Sequence, residues 1–568
     1  MLDQYFTDES IVRTLSRIRA KAAAAEREHL RLAGIGRAKP ERRQDEREQE
    51  VRSLLPPRKC WIRPELRNGL TGQTMAAMAA YAAAMKGLKK PNSTRFPSTP
   101  HLRAFIDKVR WKALSMRPYV FDPPQIIPLR KEKDGSTYRA IGRLSLVDAV
   151  VDCLTAQYVR DCFDSELLDN ALAFRCGSPD KPPPTHHDAV ETILRFQATH
   201  RKENLWVAEI DIKKFYDSVH HEVADIALDH VESGAMENGV NVDPRGMEIV
   251  RAYIRCFSFP RDVLGHALPS LRRRDPEATF AWTGENGSLD CYYANPMTED
   301  IGIIQGGALS CLLANLVLHF ADLKLTLAMA GRQYCYLRYC DDMILIATSE
   351  ADCQLGLAVY REALDLMRLP AHEPDTKVPY GRGFWRQKSK GPYRWSRRFD
   401  GVPWIGFVGY QIHHDGHIRI RSSSVRKQIE TMREEAAQVA RQILAAGKDG
   451  IKLSRRQILH RFKQRLICRL VGRRRPSSRP GDLSPNCVAS GFKLLAEYPH
   501  QQGQLRLLDR VLGESVRRVS QALRKVCAPT RPRRPLHHRR QDRVKFYGKP
   551  YSMAGQYPSE LSKLKRSE

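Results

Sequence analysis

Two adjacent carboxylates, Asp341 and Asp342, stand between two apolar runs: Tyr334-Cys335-Tyr336-Leu337-Arg338-Tyr339 before them and Met343-Ile344-Leu345-Ile346-Ala347 after them. The runs are short and rich in aromatic and aliphatic side chains, which predicts strand, turn, strand. Like charges at the tip of such a turn repel, so the pair is a poor choice for stability alone. It becomes favourable when divalent cations neutralise it. A lone Asp-Asp is commonly an ordinary hairpin turn, and other carboxylates must decide between the two readings.

They lie upstream. Asp211 ends the apolar run Leu205-Trp206-Val207-Ala208-Glu209-Ile210 and opens Asp211-Ile212-Lys213-Lys214-Phe215-Tyr216-Asp217-Ser218-Val219. Between the two acidic segments runs Gly302-Ile303-Ile304-Gln305-Gly306-Gly307-Ala308-Leu309-Ser310, followed by Leu312-Leu313-Ala314-Asn315. Phosphoryl transfer by two metals about 3.5–4 Å apart needs carboxylates from separate strands converging on one point. Asp211, Asp341 and Asp342 supply that pattern. The glycines after Gln305 let backbone approach a base pair or sugar closely, since no Cβ intervenes.

Charge agrees with a polyanionic partner. The 568-residue chain has a formal net charge of +30, which favours nucleic acid. From Arg421 to Glu568 there are 35 Lys/Arg against 11 Asp/Glu, so most of the excess lies in the last quarter. The 13 cysteines form no C-x-x-C pair; neither a zinc ribbon nor a disulfide framework is expected, and a reducing cytoplasm fits. Met75 to Met85 is alanine-rich and too short for a membrane span, and Met1-Leu2-Asp3-Gln4 does not open a signal peptide. A cytoplasmic protein with no membrane partner is expected.

The three stretches resemble, in order, the A, B and C motifs of reverse transcriptases, with greatest similarity to bacterial enzymes related to group II intron reverse transcriptases. The resemblance implies an α+β right-hand polymerase. Its expected segments are a helical N-terminal extension (1–100), fingers (101–204), a palm with motifs A, B and C and a primer-grip hairpin (205–420), a helical thumb and C-terminal extension (421–528), and a basic tail (529–568). It implies RNA-directed DNA synthesis with two Mg²⁺ ions, Mn²⁺ being the alternative, held by Asp211, Asp341 and Asp342 with Ile212 as a further ligand. Tyr216 matches the bulky gate beneath the sugar 2′ position, which favours dNTPs over ribonucleotides. Gln305 and Gly306 are implied to contact the nascent pair and template. Ile304 and Cys311 depart from the pattern, standing where prolines are common.

Other elements match more loosely. Arg130-Lys131-Glu132-Lys133-Asp134-Gly135-Ser136-Thr137-Tyr138-Arg139 resembles a fingers hairpin, with Lys131, Lys133 and Arg139 as phosphate ligands. Phe174-Arg175 resembles a short motif between fingers and palm, and Lys377 a palm lysine near pyrophosphate. Asp415-Gly416, between alternating runs, predicts a hairpin placed like a primer grip. His413, His414 and His417 are not read as a zinc site, for want of cysteine or carboxylate partners at ligand spacing.

From Ser422 the pattern is helical: Val425, Ile429, Met432, Ala436, Val439 and Ile443 form one face. Helical stretches are also expected around 9–55, 71–89, 454–473 and 504–526. Arg473, Arg474 and Arg475, and Arg531, Arg533 and Arg534 in an extended tail, are the candidate RNA contacts. The partners implied are an RNA template, a DNA product and dNTPs, with a homo-oligomer or partner protein possible. What lies outside the motifs is most similar to stand-alone bacterial reverse transcriptases of antiphage defence, which copy a dedicated structured noncoding RNA. The alternatives are an intron or mobile-element reverse transcriptase-maturase, a template-independent DNA polymerase, and a non-catalytic RNA-binding scaffold.

Overall fold

The structure, a computed structural model, describes residues 1–33, 46–62, 72–90, 98–131, 135–177, 182–280, 282, 298–374, 383–396, 401–451, 453–472, 487–496, 502–527 and 552–556. Helices and strands are mixed along the chain. The N-terminal part holds α1 (Asp8–Ala33), α2 (Glu46–Leu54) and α3 (Gly72–Leu88), within the stretches read as helical from sequence. Next come α4 (Thr99–Leu114), β1 (Gln125–Arg130), β2 (Tyr138–Arg143), α5 (Leu146–Phe163) and α6 (His186–Thr199). The central part contains β3 (Leu205–Ile210), α7 (Phe215–Ser218), α8 (His221–Glu237), α9 (Pro244–Arg255) and a π-helical stretch, Phe259–Ala267, that runs into α10 (Leu268–Arg272). It continues through α11 (Ala308–Ala328), β4 (Tyr334–Tyr339), β5 (Asp342–Ala347), α12 (Glu350–Leu366), β6 (Lys390–Trp395) and β7 (Trp404–Phe407). The remainder is β8 (Tyr410–His413), β9 (Ile418–Ile420), α13 (Ser422–Lys448), α14 (Arg455–Val471), α15 (Val488–Gly491), α16 (Gln502–Val526) and α17 (Met553–Gln556).

Two compact units divide the chain: Met1–Leu15 with Gly87–Val408, and Ser16–Lys86 with Gly409–Glu568. The boundaries of these units differ from those of the five segments expected from sequence, since 1–100 and 205–420 each contribute to both units.

A four-stranded sheet in the order β4-β5-β3-β6 organises the first unit. All its pairings are antiparallel, with Ile210 opposite Met343 and Tyr339 opposite Asp342. The register follows from burial: Val207, Ala208, Ile344, Leu345 and Ile346 are all fully covered, and a one-residue slip would move these side chains to the opposite faces. Helix α12 packs across β3, β5 and β6, and α6 against β4. Both helices start on side-chain caps, Ser349 accepting from the Asp352 N–H and Thr185 forming a capping box with Asp188. Behind them α11 packs on α12, α5 and α8. It is long and apolar enough by composition to cross a membrane, yet it buries Asn315, His319 and Asp322 among its apolar residues.

In the second unit the apolar stripe of α13 faces α16. Val425, Met432, Ala436, Val439 and Ile443 are buried, and Ile429 is half-buried at the stripe's margin. Glu435 ties α13 to α14: it accepts a hydrogen bond from Arg465 Nη2 at 3.2 Å and forms an ion pair with Arg469. The expected hairpin is present as β8 and β9. Trp404–Phe407 and Tyr410–His413 are separate strands, because Val408 and Gly409 between them both take positive φ, +42° and +89°. The basic tail also departs from a wholly extended segment. Met553 and Ala554 donate their N–H groups to the two carboxylate oxygens of Asp509 on α16, at 2.7 and 3.0 Å, and so start α17.

Candidate active site

Pairing of β3 with β5, and of β5 with β4, brings the end of β3 beside the β4–β5 turn. Asp211 directly follows β3, Asp341 sits in the turn and Asp342 is the first residue of β5. Cys340 reaches the turn with φ +60°, a left-handed conformation that a non-glycine residue adopts only when its surroundings fix it. Asp341 is half-buried and Asp342 exposed. Burial pushes the Asp341 carboxyl above its usual range and the charge of Asp211 pushes it further, against the pull of Arg139 and Lys388. Asp211 and Asp341, from two separate stretches of the sequence, thus lie close enough to act on each other.

The backbone around Asp211 is fixed on both sides. Its N–H donates to Ser389 Oγ at 3.0 Å, and its carbonyl accepts from the His372 N–H at 3.0 Å. Ile212 is bridged to Ala371, but the two bonds of that bridge run through the Asp211 carbonyl and the Lys213 N–H. They use neither polar group of Ile212, whose only means of ligating a metal is its carbonyl. Lys388 Nζ lies 3.0 Å from Asp211 Oδ2 and 3.2 Å from His372 Nε2. Lys388 and His372 carried no signal in the sequence, because they lie some 160–180 residues beyond Asp211 and meet it only through β6 and the bridge at Ala371.

Past Ile212 the chain turns through Lys214 in a left-handed conformation (φ +51°) into α7. Ser218 Oγ lies 3.1–3.3 Å from the carbonyls of residues 213, 214 and 215 and caps the turn by sharing its one proton among them. Tyr216 is half-buried on this helix, and burial raises its hydroxyl pKa. Its surroundings are Cys311, Cys340 and Asp341, so it stands between the glycine segment and the acidic turn. Asp217 is buried and accepts from Gln305 Nε2 at 3.1 Å; desolvation lifts its carboxyl to about 7 although Lys214 and Lys131 oppose this. Lys214 is pushed down to about 8 by burial and by the neighbouring charges of Lys131 and Lys388. Lys131, Arg139, Lys214 and Lys388 therefore form a cationic arc facing the carboxylates. Lys214 and Asp217 belong to this site and were not singled out from sequence.

Gln305 and Gly306 are fixed against the β1–β2 hairpin. The Gln305 carbonyl accepts from Gly142 N–H at 3.1 Å, and Gly306 takes φ +109°, which a side chain would strain. Gly307 has no room for a Cβ either, since one there would stand 1.7 Å from Tyr253 Oη. The next two N–H groups, of Ala308 and Leu309, donate to buried Asp152 at 2.8 and 2.9 Å, which caps α11. The two departures from the motif have local accounts. Ile304 packs its Cγ2 against Gly142, where any Cβ would collide with it, and the Cys311 thiol faces the Tyr216 hydroxyl.

Lys131 and Arg139, both exposed, lie at the turn end of the hairpin, whereas Arg130 is committed to Asp275 at 2.8 Å. Arg175 is a structural anchor: it binds Asp164 at 3.0 Å and donates to the carbonyls of Leu168 and Ala171 at 2.8 and 2.9 Å. Phe174 beside it is exposed with φ +59°. Lys133, Lys377, Arg473, Arg474, Arg475, Arg531, Arg533 and Arg534 lie outside the described residues.

Asp211 and Asp341 bring two carboxylates to this point, and the adjacent Asp342 carboxylate and Ile212 carbonyl are the further candidate donors; an all-oxygen set of this kind suits Mg²⁺ or Mn²⁺ by ligand type. Burial first, and then the charge of Asp211, raises the Asp341 pKa, and a divalent cation would offset the like-charge part of that cost.

No protein-family model matches the sequence, and no curated protein matches it. Solved structures similar to the chain include telomerase from Candida albicans in complex with a TWJ fragment of telomeric RNA, at 10% identity and a TM-score of 0.32, covering 82% of this chain and 75% of that one. Apo telomerase from Candida tropicalis matches at 10% identity and 0.32, covering 74% and 66%. The same telomerase with a TWJ fragment of telomeric RNA matches at 11% and 0.32, covering 80% and 70%.

Proposed function

We propose that the protein is an RNA-directed DNA polymerase that adds dNTPs to a nucleic-acid 3′ end. The observation that carries this reading is the meeting of Asp211 and Asp341 on neighbouring strands, with Tyr216 beside Asp341 and a cationic arc opposite. Asp211, Asp341, Asp342 and the Ile212 carbonyl would hold two Mg²⁺ ions, which supply activation of the primer 3′-hydroxyl and neutralise charge on the triphosphate and the leaving pyrophosphate.

The remaining work falls to the protein's own groups. Lys131 and Arg139, with Lys133 and Lys377, bind triphosphate oxygens; ammonium and guanidinium groups are suited to that task. The Tyr216 ring fills the space a ribose 2′-hydroxyl needs. Gln305 and Gly306 form a floor without bulk for the template base, while Asp217 holds the Gln305 amide in place. The basic C-terminal quarter grips an RNA template and its DNA product by their phosphates.

The setting we propose is antiphage defence in a bacterial cytoplasm, with a dedicated structured noncoding RNA as template; what supports it is the resemblance of the sequence outside the motifs to stand-alone reverse transcriptases of that kind. Phage infection of cells expressing wild type or the Asp341→Asn protein tests the setting, and equal protection by the two would sink it.

Primer extension with Mg²⁺ and dNTPs tests the activity, using wild type and an Asp341→Ala/Asp342→Ala double variant, with the RNA template present or omitted. Templated products from wild type alone are expected. Extension by both proteins would overturn the assignment, and equal extension without template would make the enzyme a template-independent polymerase.

A further inference from the structure

The β8–β9 hairpin carries a second cluster of metal-ligating groups, of a different chemistry from the acidic site. Its loop, His414 to Gly416, closes with two backbone bonds: His413 N–H donates to the His417 carbonyl at 2.8 Å and Gly416 N–H to the His413 carbonyl at 2.9 Å. Gly416 takes φ +90°, the left-handed position that closes a three-residue hairpin loop. His413 ends β8, and His417 immediately precedes β9. Both imidazoles are thereby turned toward the residue between them.

Asp415 Oδ1 lies 2.6 Å from His413 Nδ1 and 2.6 Å from His417 Nδ1, and the three donor atoms all lie within 4.8 Å of one another. Asp415 is the carboxylate partner that the sequence pattern of these histidines did not reveal. The His413 side chain is mostly covered, 18% exposed, while Asp415 and His417 are each 41% exposed, so the cluster is anchored on one side and open to water on the other.

We propose that His413, Asp415 and His417 form a binding site for Zn²⁺ or a neighbouring divalent transition ion, with water completing the coordination. Two imidazole nitrogens and one carboxylate oxygen are the donor types zinc takes in open sites, and imidazole disfavours Mg²⁺ against transition metals. The competing account is a hydrogen-bonded latch in which both Nδ1–H groups donate to Asp415. Metal replaces those two protons at the same three atoms, so the turn needs little rearrangement to accept it.

The site has a structural consequence within its own unit. The strand that follows His417 is held to α16 by Gln504, which accepts from the Ile420 N–H at 3.1 Å and donates to the Ile420 carbonyl at 2.9 Å. A metal closing the hairpin fixes the strand against which α16 is seated.

The test uses the full-length protein, stripped with chelator and dialysed against Zn²⁺ or Co²⁺ in excess Mg²⁺, which keeps the all-oxygen site occupied. Bound metal is measured by elemental analysis and the visible bands of Co²⁺, and unfolding temperature is read with and without Zn²⁺. Wild type should take up one equivalent, show nitrogen-ligated Co²⁺ bands and melt higher with Zn²⁺. His417→Ala and Asp415→Asn should lose all three responses, and exposed His266→Ala should keep them. Asp415→Asn retains a hydrogen-bond acceptor, so it separates loss of metal from loss of the turn. Absence of a wild-type equivalent, or equal uptake by the two hairpin variants, would overturn the proposal. Either result leaves the polymerase reading untouched, because none of these measurements involves nucleotide incorporation.

Discussion

Arg338 Nη1 donates to the carbonyl of Cys340 at 3.0 Å, so a guanidinium with no solvent exposure holds the strained residue immediately before Asp341. The rest of Arg338 is fully engaged: Asp322 on α11 pairs with it at 2.5 Å and Asn315 accepts from it at 3.0 Å, while Tyr336 donates to Asp322 at 2.6 Å. Burial alone would disfavour the charged guanidinium, but Asp322 outweighs it and the Arg338 pKa is raised. Asp322→Ala should leave that charge buried without its partner and cost roughly 3–5 kcal/mol of stability. An Arg338→Met/Asp322→Leu pair should recover much of this while still impairing catalysis, because the Cys340 carbonyl loses its donor. Denaturant unfolding and primer extension on both variants check the separation; equal loss of stability in the two would contradict it.

Asp341→Asn should cut nucleotide incorporation by on the order of a thousandfold or more, since a metal ligand contributes several kcal/mol to the transition state. Stability without metal should not fall. Burial and Asp211 raise the folded-state pKa of Asp341, so the stability tied to its proton is lost as pH rises, and a neutral amide avoids that loss. Incorporation near the wild-type rate would remove Asp341 from the site.

Tyr216→Ala should admit ribonucleotides. The ratio of dNTP to rNTP incorporation efficiency should fall by roughly ten- to a hundredfold, the scale on which a pocket discriminates by size. The ring rests among Cys311, Cys340 and Asp341 rather than in the core, so folding should survive. An unchanged ratio would make the tyrosine a packing residue.

Asp217 gives a pH signature. Its folded pKa of about 7 lies above an unfolded value of ~3.9, so the folded state binds the extra proton between those limits. Its contribution to stability is complete below about pH 4 and is lost as pH rises to about 7, each pH unit counting about 1.4 kcal/mol. Asp217→Asn should flatten this part of the stability profile and raise stability at pH 7, while Gln305 keeps an acceptor. Parallel profiles for the two proteins between pH 4 and 7 would show that burial does not hold the proton there.

How far the sequence could be read depended on the reach of each interaction. Leu205–Ile210 and Tyr334–Tyr339 were legible as strands because alternation and chain composition are local, and Ser422–Lys448 because its stripe recurs along one helix. The convergence of Asp211 with Asp341 followed once motif order was read as strand order. Lys388 and His372 reach Asp211 only through pairings that no local pattern encodes. Asp322 and Arg338 left a faint trace, a charge in the middle of an otherwise apolar helix and another in an apolar strand, which is the mark of a buried pair. The docking of Met553 and Ala554 on Asp509 left none, because four residues have no usable periodicity.

That docking shapes the test of the basic tail. Cutting the chain after Pro529 would remove 11 Lys/Arg, but it would also strip Asp509 of the two N–H groups that satisfy its half-buried carboxylate. A charge-neutralising variant is cleaner: Arg531, Arg533 and Arg534 each changed to Gln, with α17 retained. Each phosphate that is no longer neutralised makes the slope of log affinity against log salt shallower by about 0.7–0.9. If all three arginines touch RNA, the slope should change by about two to three and affinity at low salt should fall accordingly. Extension of a pre-annealed primer should persist, since Asp211, Asp341 and Asp342 are unaltered. The competing view makes this tail a solubilising segment or an oligomer contact. It expects superimposable salt titrations, with any difference confined to solubility or sedimentation, and that result would leave RNA capture to the β1–β2 hairpin and the helices of the basic quarter.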